Sequence, residues 1–174
     1  MALVRILVDG YNLLGHIYQQ DKFRYYQGIG LLHSWPELAE GQPRHSEAAR
    51  DALVEMLALY QDACGTPVTV FFDGRGARYR RPQEVVGSAV EVLYSRAGQT
   101  ADELIERAAL RFQDYGEVLV VTNDFAERDT VTGFGGATAS CDNFLRQLQG
   151  ALAQVQEKLD RHNRAERERF RRAR

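Results

Sequence analysis

Short apolar runs that scarcely alternate with polar residues are the feature that most constrains this chain. They are Leu3–Val8, Val68–Phe72, Ala89–Tyr94 and Val118–Thr122, with a shorter candidate at Ala137–Ala139. Each is of strand length, and β-branched, aromatic and leucine residues dominate them. Strands with this pattern are covered on both faces, which is the condition of a parallel sheet between helices. The intervening segments supply such helices. In Glu47–Ala63, residues Ala49, Leu53, Met56, Leu57 and Tyr60 recur at helical spacing. Thr100–Tyr115 opens with the capping-box spacing Thr100 to Glu103 and carries Leu104, Ile105, Ala108 and Phe112. From Ser140 a last helix carries Phe144, Leu148, Leu152, Val155 and Leu159 and runs on into a basic tail. The expected fold class is α/β, with a mostly parallel central sheet.

The first run stops at Asp9, the second at Asp73, and Asp124 lies two residues beyond the fourth. Asp102 falls in the first turn of the helix that follows the third. In an open parallel sheet the strands share one direction, and ligands bind beyond their carboxyl ends. The four aspartates are therefore expected on one rim. Singly, each has a plainer explanation. Asp9-Gly10 and Asp73-Gly74 are turn dipeptides. Asp102 and Glu103 favour a helix dipole, and Asp124 suits a helix N-cap. Together they crowd negative charge that a bound cation would relieve. An all-oxygen ligand set without His or Cys selects Mg²⁺ or Mn²⁺. Asn12 is placed to orient Asp9 or a phosphate oxygen, and Thr100 and Asn123 supply neutral polar groups beside Asp102 and Asp124. Glu127 and Asp129 are expected on a solvated helix face. The four histidines are scattered, and none is assigned a catalytic role.

The charge balance is uneven. The net charge is −2, yet Lys158–Arg174 carries +5, which leaves −7 on residues 1–157. An acidic body needs local basic patches if its partner is a polyanion. Arg75, Arg78, Tyr79, Arg80 and Arg81 directly follow Asp73 and suit phosphate contact and base stacking, or else form a solvated loop. Lys22 and Arg24, beside Tyr25 and Tyr26, make a second patch. The basic tail offers a salt-dependent contact to a polyanion or is a solvated helix end. The segment Gln19–His45 reads as irregular, and Gly133, Gly135 and Gly136 as the turn into the last strand. Two isolated cysteines, Cys64 and Cys141, make a zinc site improbable; they suggest a reducing compartment and leave one disulfide open. With no signal-like or membrane-length apolar run, a cytoplasmic location is expected.

The motifs resemble the NYN domain, a branch of the PIN-like nucleases, and within it the YacP-like group. That group includes a bacterial ribosome-associated endoribonuclease acting on messenger RNA. The matching text is Val8-Asp9-Gly10-Tyr11-Asn12, Val70–Gly74, Ser95–Glu106 with Thr100-Ala101-Asp102-Glu103, and Val121–Asp124 with Glu127-Arg128 and Gly133–Ala137. The resemblance runs from about Val4 to about Leu148. It implies a PIN-like three-layer α/β/α sandwich and a Mg²⁺- or Mn²⁺-dependent endoribonuclease with Asp9, Asp73, Asp102 and Asp124 as its acidic cluster, supported by Asn12. It also implies mRNA as substrate, the ribosome as a partner, and products with a 5′-phosphate and a 3′-hydroxyl. Asn123 stands where serine is more usual, and residues beyond about Leu152 have no motif equivalent. The expected organisation is a nuclease domain over residues 1–157 and a basic helical extension over 158–174. Two other readings stand beside this one. A PIN-like module could bind RNA or the ribosome without cutting. A haloacid-dehalogenase-like phosphatase would also place an aspartate after the first strand, but it needs a second where this chain has Tyr11, and a late core lysine that is absent between Gln83 and Glu157.

Overall fold

A computed structural model of the chain describes residues 2–28, 35, 46–74 and 90–172. Strands and helices follow in the order β1 (Leu3–Asp9), α1 (Gly10–Ile17), α2 (Gln20–Gly28), α3 (Glu47–Cys64), β2 (Val68–Phe72), β3 (Glu91–Tyr94), α4 (Ala101–Phe112), β4 (Glu117–Val121), α5 (Phe125–Gly133), β5 (Ala137–Ala139) and α6 (Cys141–Arg172). The five strands form one sheet in the order β3-β2-β1-β4-β5, and every pairing is parallel.

The two-residue period of the strands divides the core. Ile6 and Val8 of β1, with Val68, Val70 and Phe72 of β2, face α1, α3 and α6. Leu7, Phe71, Val118 and Val120 face α4 and α5, against Ile105, Ala109 and Val131. The runs of β1, β2 and β4 thus sit between two helical layers, giving an α/β/α sandwich, whereas β3, expected to be covered on both faces, is an edge strand left largely exposed. β1 lies at the centre and the chain leaves it toward β2 on one side and β4 on the other. The crevice beyond its carboxyl end is the switch point where such sheets bind ligands. Asp9 continues the parity of Leu7, so its side chain emerges on the α4/α5 face.

The bounds of β2 and β5 agree with the sequence reading. β1 extends to include Asp9, β4 begins one residue earlier at Glu117, and β3 starts at Glu91. One expectation is corrected. Within the supposedly irregular Gln19–His45, Gln20–Gly28 is helical, and Tyr26 is buried. Trp35 is buried near Tyr18, with ring centroids 6.0 Å apart. Both cysteines are free, Cys64 exposed and Cys141 buried. No helix among the described residues is long and apolar enough to cross a membrane.

Candidate active site

Asp9 is both the last residue of β1 and the N-cap of α1. Its Oδ1 accepts a hydrogen bond from the Asn12 N–H at 3.2 Å. The strand passes straight into a helix because Gly10 lies against Phe72; a Cβ there would run into the ring. At the end of β2, Asp73 Oδ1 accepts from the Ser95 hydroxyl at 2.8 Å, and the same oxygen of Ser95 accepts from the Gly74 N–H at 3.0 Å. Gly74 sits so close to the Ser95 carbonyl that no side chain fits. Thr100 caps α4 in a reciprocal box with Glu103. Glu103 is thereby engaged at the cap, and Asp102, one residue earlier, turns toward the rim. Asp124 caps α5, its Oδ1 accepting from the N–H groups of Ala126 and Glu127 at 2.8 and 3.3 Å.

The tightest acidic group among the described residues contains one residue that the sequence reading leaves out of the site. Asp9, Asp102 and Glu127 each place a carboxylate oxygen within 4.8 Å of the others. Glu127 is only 2% exposed, so the expectation of a solvated face is overturned; Asp129 is exposed as expected. Asp124 holds the cap of α5, and Glu127 at the third helical position is free to turn inward. The available signal is its position: first turn of a helix on the ligand rim, like Asp102. Asp73 and Asp124 flank this trio, near enough for their charges to act on it.

The electrostatics follow from the crowding. Burial, then the charges of Asp102, Asp124 and Asp73, push the Asp9 carboxyl up to about 6, against the opposing effect of the Asn12 N–H. Burial and the charges of Asp124 and Asp73 also raise Asp102. Glu127 is pushed up to about 8, by burial first and by Asp9, Asp102 and Asp124; the Thr122 hydroxyl nearby favours the ionised form. Neither buried carboxylate oxygen of Glu127 has a partner at hydrogen-bonding geometry. An orphaned carboxylate aimed at two others is costly unless it is protonated or meets a cation. The donor set is all oxygen, which fits a hard divalent ion. The N-termini of α1, α4 and α5 converge on the same rim, and their dipoles favour an anion there.

Behind the rim lies a connected polar network. Asn12 Oδ1 accepts from the Asn123 N–H at 2.7 Å and from the Cys141 thiol at 3.4 Å. Asn123 Oδ1 accepts from the Cys141 N–H at 2.9 Å, and its amide nitrogen lies 3.2 Å from His16 Nδ1. Burial and Lys22 hold His16 below its usual value, against the opposing charge of Asp142, and its Nε2 lies 3.2 Å from the Tyr26 hydroxyl. That hydroxyl donates to Asp142, which also takes Lys22 at 3.0 Å and Arg146 at 2.6 Å. Asn12 and Asn123 therefore fasten α1, the β4–α5 turn and α6 together, and Lys22 is engaged with Asp142. Arg24 is exposed on α2. Arg75, Arg78, Tyr79, Arg80 and Arg81 lie outside the described residues.

The model of the YacP-like NYN domain matches residues 6–173. The chain belongs to the YacP-like NYN domain family. A curated relative in Bacillus subtilis (strain 168), described as uncharacterized protein YacP, is 29% identical over 145 residues, covering 83% of this chain and 74% of the relative. The crystal structure of a tryptophan-to-leucine mutant of Rae1 (YacP) from Bacillus subtilis aligns with a TM-score of 0.63 at 26% identity, over 91% of this chain and 82% of that one. A second Rae1 (YacP) crystal structure from Bacillus subtilis aligns with a TM-score of 0.67 at 24% identity, over 95% and 84%, a likeness of fold. Membership of the NYN family implies a nuclease-type function. The family match continues through the whole of α6, past the last motif recognisable in the sequence.

Proposed function

We propose that this chain is a divalent-metal-dependent endoribonuclease, hydrolysing messenger RNA in association with the ribosome. The observation that carries the reading is Glu127: a buried carboxylate with both oxygens orphaned, facing Asp9 and Asp102 at the switch point of the sheet. Asp9, Asp102 and Glu127 would hold the ion, with Asp73 and Asp124 flanking it. A Mg²⁺ or Mn²⁺ ion there supplies a water of lowered pKa and neutralises charge developing on the phosphodiester. The chain's own groups do the rest. The helix N-termini of α1, α4 and α5 face the incoming phosphate. Asn12, Asn123 and Thr100 fix the loops that carry the aspartates. Arg24 and the arginines that follow Asp73 are assigned to the RNA backbone, whereas Lys22, expected there from the sequence, is taken up by Asp142. Cys141 is no nucleophile: burial pushes its thiol up to about 12, and it donates to Asn12.

Labelled single-stranded RNA, incubated with Mn²⁺ or with EDTA and with Asp9→Asn or Glu127→Gln, tests the reading. Internal cuts that vanish in EDTA and in Asp9→Asn are expected. Cuts that persist in EDTA refute the metal. Turnover of p-nitrophenyl phosphate without RNA cleavage points to a phosphatase. RNA retained uncut, on translating ribosomes as well as free, points to a binding module.

A further inference from the structure

The 32-residue helix α6 begins at the acidic rim and ends far from it. Its first residue, Cys141, is tied to Asn123 beside the candidate site. Phe144, Leu145 and Leu148 are buried in the core, and Phe144 packs edge-on against Tyr60 of α3 at 5.3 Å. Beyond Leu152 almost every residue is exposed, including Leu159 and Phe170. A helix rises about 1.5 Å per residue, so residues 164–171 stand roughly 35–45 Å along the axis from the rim.

This free part is the basic part. Arg164, Arg167 and Arg171 recur at i, i+3 and i+7 and share a face. Two neighbouring arginines have carboxylate partners within the helix: Arg161 with Glu157 at 3.5 Å and Arg169 with Glu166 at 3.1 Å. Among the described residues, Arg164, Arg167 and Arg171 have no ion pair. A row of arginines without ion pairs, on an exposed helix end in a segment of net charge +5 that still holds Asp160, Glu166 and Glu168, is attached to a body of charge −7 and is complementary to a polyanion. Its distance from the rim excludes the nucleotides next to the scissile bond as its contact. Its regular spacing along one helix face fits a helical phosphate backbone.

We propose that the C-terminal half of α6 is an arm that grips a base-paired RNA segment remote from the cutting site. The proposal rests on the ribonuclease reading for its choice of polyanion. Each phosphate neutralised adds about 0.7–0.9 to the slope of log K against log salt. The test is binding in EDTA, which removes cleavage from the measurement. The probes are a labelled RNA hairpin with a long stem, an eight-nucleotide single strand, and phosphatidylserine vesicles. The full-length variant carries Arg164→Gln, Arg167→Gln and Arg171→Gln, changes that preserve helix propensity. Expected for the hairpin are a loss of affinity of about tenfold or more and a slope shallower by about 2, with thermal stability unchanged. The short strand is expected to bind the variant and the wild type alike. Equal hairpin affinity in both proteins overturns the proposal. So does an equal loss on the short strand, or vesicle binding that exceeds hairpin binding. Cleavage in Mn²⁺, measured in parallel on the short strand and on translating ribosomes, judges the nuclease reading separately: a chain that grips the hairpin through the arm and cuts neither keeps the arm and loses the nuclease.

Discussion

Two buried or half-buried carboxylates lie on opposite faces of the same sheet edge, and their surroundings differ completely. Asp142, at the start of α6, meets Lys22, Arg146 and the Tyr26 hydroxyl, which draw its carboxyl down to about 2. Glu127, at the start of α5, meets Asp9 and Asp102, has no partner for either oxygen, and is pushed up to about 8. The chain neutralises one carboxylate with its own cations and leaves the other without any. A structural anion is completed by the fold; a ligand site is left incomplete by it. The contrast explains why the network around Asp142 reads as a fastening and the trio around Glu127 as a place for an external ion.

The largest expected effect lies on the incomplete side. Asp9→Asn removes a buried carboxylate proposed to hold the metal and is expected to cost about 4 kcal/mol of transition-state stabilisation, near 10³-fold in single-turnover RNA cleavage. The fold should survive, since an asparagine oxygen can still accept the Asn12 N–H. The fastened side should show the opposite pattern. Asp142→Ala strips Lys22, Tyr26 and Arg146 of their common partner. Urea unfolding should show a loss of about 1–2 kcal/mol, kept modest by the exposure of Lys22 and Arg146. Its kcat on short RNA should change less than the Asp9→Asn rate. A reversal of these two outcomes would break the comparison.

How much of this is legible in the sequence depends on what each residue's environment is made of. The strands of the sheet follow from local composition, since Val68–Phe72 and Ala137–Ala139 carry their own punctuation. The rim positions of Asp9, Asp73, Asp102 and Asp124 follow from topology alone. α2 is not legible: Gln20–Gly28 is polar around Phe23, Tyr25 and Tyr26, and what fixes Tyr26 is a hydrogen bond to Asp142, 116 residues away. Glu127 escapes the sequence reading for a related reason. Its Asp-x-x-Glu spacing to Asp124 matches a cap, and only the packing of α5 on the sheet turns its side chain inward.

A smaller effect sharpens the contrast through pH. In EDTA, folded Glu127 keeps a proton up to about pH 8, whereas the unfolded chain releases it in the ordinary glutamate range. The folded state then binds more protons, so stability falls as pH rises from about 5 to 8. Asp9, raised to about 6, contributes in the same direction over the lower part of that range. Unfolding in EDTA should show this decline in the wild type and a flatter profile in Glu127→Gln, a difference of about 3–4 kcal/mol across the window. Asp142 has the opposite sign: its stabilisation is present above the usual aspartate range and is lost only as pH falls toward 2.

The central claim is that the trio of Asp9, Asp102 and Glu127 is held protonated or strained until a divalent ion completes it. Calorimetric titration of Mn²⁺ at pH 7, in two buffers of different ionisation enthalpy, tests this without any RNA. One high-affinity event accompanied by proton release is predicted, weakened at least tenfold and stripped of that release in Glu127→Gln. Wild type and Glu127→Gln giving the same isotherm, or no saturable binding in either, would contradict it.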